Sequence, residues 1–209
     1  MMFREILFSI VVYFSSAIDL ITVLILLYTQ NHHRSWVKVY LGQLIGSLVL
    51  LLISLLFAFI LHSVPSPHLI GLLGLIPLVF GYLSLKSHQS EATWLNSMLT
   101  PKFSNHLMIS VAVLTIGSTG SDNIGIFTAY FSNIASKWLP VVILTFIVCM
   151  FAIGIIGYCL SFFPGLATLF TKYGTLIMGV TYIIMGIVIL VKNHTISYFL
   201  HLLVTCIKL

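Results

Sequence analysis

The chain has 209 residues, 60% of them hydrophobic and only 6% charged. A soluble domain carries about 25% charged residues, so this chain cannot cover a water-exposed surface of its own; it reads as an integral membrane protein in a lipid bilayer, which excludes soluble enzymes and nucleic-acid binders. The net charge of +5 is too small and too scattered for a phosphate-binding face.

A spanning helix needs about 20 mainly apolar residues. In chain order the sequence predicts a first span over about Ile6–Tyr28, retained rather than cleaved, because the apolar run lacks a small-residue cleavage site. The basic loop Gln30-Asn31-His32-His33-Arg34 follows, then a second span over about Val39–Leu61. Ser63-Val64-Pro65-Ser66-Pro67 breaks the chain, since proline cannot continue a helix. The third span covers about His68–Leu85, and Lys86–Ser104 is the longest polar segment. The fourth span, about Asn105–Phe131, is interrupted by Gly117-Ser118-Thr119-Gly120-Ser121-Asp122-Asn123. After a loop at Asn133–Lys137 come a fifth span, about Leu139–Phe163, closed by Pro164-Gly165, and a sixth, about Tyr173–Val191. The tail Ser197–Ile207 is apolar but too short to span, and reads as an interfacial helix. Lys and Arg divide almost evenly between the two sides, so they orient the chain only weakly; the first loop and the Lys86–Lys102 loop lean cytoplasmic, with both termini outside.

Two features recur at nearly one spacing. Ser15-Ser16-Ala17-Ile18-Asp19 lies within span one and Ser118-Thr119-Gly120-Ser121-Asp122 within span four, the aspartates at an offset of 103. Gly74-x-x-Pro77-x-x-x-Gly81 in span three matches Gly179-x-x-Tyr182-x-x-x-Gly186 in span six at an offset of 105. Three spans per half force the halves into opposite orientations, the inverted-repeat plan of many secondary transporters, whose sites lie near the midplane. The expected fold is thus all-α: one transmembrane domain over residues 1–209, with six helices as a 3+3 inverted repeat. Repeat one covers about 1–86, repeat two about 105–192, and 193–209 form the tail, with the first and fourth helices discontinuous.

Of the four acidic residues, Glu5 and Glu91 fall at a terminus and in a loop, whereas Asp19 and Asp122 fall inside spans. Asp19 lies roughly 20 Å along its helix at 1.5 Å per residue. A charged Asp at the centre of a spanning helix costs about 2.5–3.5 kcal/mol and normally faces the interior or a wet cavity. Hard cations take oxygen ligands, and oxygen donors surround both acids: Ser15 and Ser16 before Asp19; Ser118, Thr119 and Ser121 before Asp122; Asn123 after it. Gly117 and Gly120 would let span four unwind and expose carbonyls, and Gly125 keeps one helix face thin. Two adjacent carboxylates repel; a divalent cation between them removes that cost, and protons replace it when it leaves, which points to proton exchange.

Gly42-Gln43-Leu44-Ile45-Gly46 is a small-xxx-small packing motif, with Gln43 a candidate to reach the cavity; Pro77 is a helix-breaking or packing position, and Thr115 and Tyr130 are further lining candidates. Cys149, Cys159 and Cys206 read as small hydrophobes, and the eight His residues as interfacial. No phosphate-binding glycine loop with a lysine is present, so ATP does not drive transport directly, and no resident cofactor is expected.

Ser16-Ala17-Ile18-Asp19-Leu20, Tyr40-Leu41-Gly42-Gln43-Leu44-Ile45-Gly46-Ser47, Leu72-Leu73-Gly74-Leu75-Ile76-Pro77-Leu78 and Gly120-Ser121-Asp122-Asn123-Ile124-Gly125-Ile126-Phe127 resemble, in order, the cadmium-resistance transporter (CadD-type) family of the lysine-exporter superfamily. The resemblance implies efflux of divalent cations, chiefly cadmium, across the bacterial plasma membrane without ATP hydrolysis. Members of that family often carry a Cys shortly before the second intramembrane Asp; Gly117–Ser121 holds none here. Cadmium favours thiolate, and an all-oxygen site suits manganese about as well, with zinc also in range. Two other cargoes or classes compete: an amino acid, and the substrate of an intramembrane aspartyl protease. The protease pattern wants a Tyr before the first Asp and a Gly before the second, where this chain has Ile18 and Ser121. Homo-oligomerisation is left open by the sequence.

Overall fold

The computed structural model describes residues 2–30, 35–62, 71–86, 107–193 and 195. These form seven α-helices: α1 (Met2–Ser16), α2 (Ile18–Gln30), α3 (Trp36–His62), α4 (Leu75–Lys86), α5 (Leu107–Ser132), α6 (Leu139–Leu160) and α7 (Pro164–Lys192). No strand occurs among the described residues. By length and composition α3, α5 and α6 can each cross a membrane, and α1 with α2, bent by 53°, is long and apolar enough to do so when the pair is taken as one span. The apolar helix α4 and the apolar stretch Leu176–Lys192 of α7 are shorter. The expected connections at 63–67 and 86–104, and the tail beyond 195, lie outside the described residues apart from Lys86 at the end of α4.

Solvent preference is inverted, as lipid demands. Leu52, Leu56 and Phe59 on α3 and Leu144, Val148 and Ile155 on α6 face outward, whereas Ser9, Ser16, Gln43, Ser54, Thr115 and Thr119 are buried. Lipid gives helices no hydrophobic reason to associate, so close backbone approach and interhelical hydrogen bonds must hold them.

Three seams do this. α3 and α5 run side by side in parallel: a Cβ on Gly42 would stand 2.5 Å from the Met108 carbonyl, and one on Gly46 2.8 Å from Thr115 Cβ. Further along, Thr128 Oγ1 donates to the Ser54 carbonyl at 3.4 Å. α4 and α7 run antiparallel: a Cβ on Gly74 would lie 2.8 Å from the Gly186 carbonyl, and one on Gly81 2.7 Å from that of Gly179. The two glycine pairs noted as a sequence repeat thus pack on each other. α6 follows the bent first crossing in parallel; Phe146 meets the Tyr13 ring edge-on at 5.3 Å, and Tyr28 Oη donates to the Gly154 carbonyl at 3.3 Å.

Two expectations are corrected. The first crossing is discontinuous, but the fourth is not: α5 is unbroken from Leu107 to Ser132, and Gly117 and Gly120 are ordinary helical positions. Each glycine costs a helix only about 1 kcal/mol relative to alanine, and the seam with α3 holds α5 straight. Gly120 faces Leu50 at an ordinary 3.5 Å, while Gly117 is exposed. The sixth helix begins at Pro164 rather than near Tyr173, because a proline in the first turn is pre-set for helix and gives up only an N–H that has no partner there.

Candidate cation site at a broken helix

The break in the first crossing lies at Ser15-Ser16-Ala17, where a serine pair replaces the usual proline or glycine. Ser16 Oγ donates to the Tyr13 carbonyl at 3.0 Å, the same oxygen that accepts the Ala17 amide at 3.0 Å. Serine hydroxyls that take a local carbonyl in this way loosen and bend helices. The consequence is positional. Asp19 falls in the first turn of α2, where the positive end of the helix favours a carboxylate by about 0.3–1 kcal/mol.

Asp122 reaches the same region from the middle of an unbroken helix. It is half-buried, on the α5 face that also carries Ser118 and Gly125. Gly125 clears that face for α4: a Cβ there would meet Ile76 at 2.8 Å and Phe80 at 3.3 Å.

Tyr182 of α7 is the side chain that links the two acids electrostatically. Both Asp19 and Asp122 lie within electrostatic reach of this side chain, and Ser16 stands beside its hydroxyl. The contact with Ser16 does not close as a hydrogen bond: Tyr182 is 1% exposed and its hydroxyl has no hydrogen-bond partner. Met178 and Met185, both buried, stand four residues before and three after Tyr182 and therefore share its helix face.

A small cavity opens beside the break, lined by Tyr13, Ser16, Ser47 and Asn123 among others, with room for about one water. Gln43 is fully buried next to it and donates through Nε2 to Ser47 Oγ at 3.1 Å. Gln43 Oε1, Thr115 Oγ1 and Asn123 Oδ1 are buried without hydrogen-bond partners. A buried unpaired polar atom costs about 1–3 kcal/mol; those of Thr115 and Asn123 belong to α5, and that of Gln43 lies against Gly154 of α6, so the interior between these helices is polar. An aromatic cluster of Tyr13, Phe127, Phe131 and Phe146 closes one end, with centroid spacings of 4.9–6.3 Å.

The structure therefore brings Asp19, Asp122, Ser16, Gln43 and Asn123 into one region of the interior, with Ser15 also buried there. The others predicted on α5 do not gather. Ser121 is exposed, on the same stripe as Val113 and Gly117. Ser118 and Thr119 turn their hydroxyls back to the Thr115 carbonyl, at 3.4 and 3.0 Å. Consecutive residues of a regular helix point about 100° apart, so five in a row line one cavity only if the helix unwinds, and α5 does not. Gly42 and Gly46 are packing positions. Pro77 is buried in the first turn of α4, just after a turn at Leu73-Gly74, where its missing N–H costs nothing. Tyr130 holds Ser9 across α1 and α5 at 2.9 Å rather than lining the cavity. Cys149 is buried beside Tyr13, Cys159 is exposed, and Cys206 lies outside the described residues.

Sequence reasoning missed Tyr182, Met178, Met185, Tyr13 and Ser47 as site neighbours. The signal for Tyr182 was present: it is the central residue between the repeated glycines Gly179 and Gly186, in the place of Pro77. No group of three or more His, Cys, Asp or Glu residues assembles among the described residues. The polar groups of this interior are accordingly hydroxyls and amides, with the buried thioethers Met178 and Met185 on the Tyr182 face.

Apolar helices outside, polar groups inside and two acids among them define a multi-pass membrane protein with a polar interior. The chain belongs to the cadmium resistance transporter family, whose model matches residues 13–202. No curated protein and no solved structure matches it.

Proposed function

We propose that the protein is a secondary exporter of divalent heavy-metal cations, cadmium first, acting in the bacterial plasma membrane by exchange with protons at a site shared by Asp19 and Asp122. The observation that carries this reading is a buried polar interior beside the break at Ser16, with the buried Tyr182 within electrostatic reach of both intramembrane acids, which stand on two different helices. Two carboxylates in one low-dielectric region repel each other. A divalent cation cancels that repulsion, and two protons cancel it as well, so the site alternates between the two loads. No ATP chemistry is required.

The 3+3 inverted repeat belongs to this proposal, with α1–α2, α3 and α4 matched in order to α5, α6 and α7. Under that matching the parallel α3–α5 seam has the α6 seam with the first crossing as its mate, and the antiparallel α4–α7 pair maps onto itself. The observed directions fit this pattern. A site at the repeat interface is also where inverted-repeat transporters place it.

Met178 and Met185 support a soft ion. Thioethers select soft metals, and the two methionines supply sulfur on the Tyr182 face that the cysteine-free Gly117–Ser121 stretch does not. Manganese and zinc remain the alternatives carried by the oxygen donors, and an amino acid is the alternative cargo.

Metal loading of everted membrane vesicles under an imposed proton gradient tests the reading. Wild type is expected to accumulate cadmium and to stop when a protonophore is added, while Asp19→Asn and Asp122→Asn accumulate none. Unchanged cadmium, zinc and manganese accumulation in both variants would overturn it.

A further inference from the structure

We infer that Tyr182 is a third member of the cation site, its hydroxyl acting as a ligand for the bound metal and as a hydrogen-bond partner of the acids when protons are loaded. This rests on the proposed two-aspartate reading and names a residue that reading does not require. The packing of α7 is the starting point. Gly179 and Gly186 bracket Tyr182, and each approaches an α4 glycine closely: a Cβ on Gly179 would stand 3.0 Å from the Gly81 carbonyl, and one on Gly186 2.6 Å from that of Gly74. The α7 backbone is thereby pinned on both sides of Tyr182, and the phenol ring has little freedom to turn elsewhere.

The second observation is the hydroxyl itself. It is buried, it stands beside Ser16 at the break, and no hydrogen bond satisfies it. Phenylalanine would fill the same volume without stranding a polar atom, so packing alone gives no reason for the oxygen. The third is charge: the residues that act on this phenol are Asp122 and Asp19. A hydroxyl carries one donor and two lone pairs, whereas an ionised carboxylate only accepts. Tyr182 can therefore accept from a protonated acid, donate to an ionised one, and turn a lone pair to a cation once these groups close on it. The acids recur in the two halves of the sequence, but the hydroxyl does not, since Pro77 holds the matching place.

The test is cadmium binding by calorimetry to the full-length protein in nanodiscs, for wild type, Tyr182→Phe, Asp19→Asn and Asp122→Asn, with manganese as a second probe. Tyr182→Phe is expected to raise the cadmium Kd at least tenfold and to change the cadmium-to-manganese preference, while the thermal midpoint without metal stays at or above the wild-type value. Wild-type Kd and preference in Tyr182→Phe, with binding lost in both Asp variants, would overturn the role of Tyr182 and leave the two-aspartate reading standing. Wild-type binding in the Asp variants would remove that reading itself. If Tyr182→Phe does not fold, 3-fluorotyrosine placed at position 182 reports the same contact: its fluorine signal is expected to move on saturation with cadmium, and an unmoved signal would overturn the inference.

Discussion

The two segments that carry the intramembrane acids look alike in sequence and behave differently in space. Ser15-Ser16-Ala17-Ile18-Asp19 has no glycine and breaks, bending the first crossing by 53°. Ser118-Thr119-Gly120-Ser121-Asp122 has a glycine inside it and another just before it, and stays helical throughout. The difference lies in what each helix leans on. α5 is held along its length by α3, where the bare backbone at Gly42 and Gly46 lets the helices touch. The first crossing instead follows α6 on both sides of its bend, and at the gap the Ser16 hydroxyl shares the Tyr13 carbonyl with the Ala17 amide. One acid is thus presented by a helix start and the other by a continuous rod; in the proposed site the first crossing is then the element able to change shape and α5 the fixed wall.

The largest effect that tests this division is on the acids. Removing one partner from a buried charged site costs about 3–5 kcal/mol, which is more than roughly a hundredfold in affinity. Asp19→Asn and Asp122→Asn should each abolish cadmium binding by calorimetry. If only one of them does, the cation sits on one wall and the convergence at Tyr182 is not the site. Next comes the seam. A side chain at Gly46 meets Thr115 Cβ at 2.8 Å and the Ala112 carbonyl at 2.9 Å, and backbone cannot yield cheaply. Gly46→Val should destabilise the protein by about 1–3 kcal/mol, read as a lower thermal midpoint in detergent. A wild-type midpoint would mean that α3 does not clamp α5.

Much of this was legible from residue type and spacing alone. Depth singled out Asp19 and Asp122, because a carboxylate in lipid needs a reason to be there. The glycine pairs at offset 105 were visible as a pattern, and they turn out to be the α4–α7 contact. What the sequence concealed was tertiary override. Gly117 and Gly120 signal a break by propensity, and the neighbouring helix cancels the signal. That error carried Ser118, Thr119 and Ser121 with it, since their gathering required the unwinding. Tyr182 was hidden for another reason: tyrosine in an apolar helix reads as bulk, and only the fold shows that its hydroxyl is buried without a hydrogen-bond partner and within electrostatic reach of both acids.

A smaller effect belongs to Ser16. Its hydroxyl makes one hydrogen bond to backbone, worth about 1 kcal/mol net, and alanine is the better helix former. Ser16→Ala should leave the thermal midpoint almost unmoved while weakening cadmium export about tenfold, because straightening the first crossing takes Asp19 away from a helix start. Equal export by Ser16→Ala and wild type would show that the serine does not maintain the bend.

The smallest effect is the sharpest test of the fixed wall. Gly120 sits inside a continuous helix, and a Cβ there would meet Leu50 at 3.5 Å, an ordinary contact. Alanine gains about 0.5–1 kcal/mol over glycine in a helix interior, so Gly120→Ala should raise the thermal midpoint slightly. If α5 stays helical throughout transport, export by this variant equals that of wild type. A variant that is more stable but exports less would mean that α5 unwinds at Gly120 in another state of the cycle. The division between a bending crossing and a rigid one would then hold only for the state seen here.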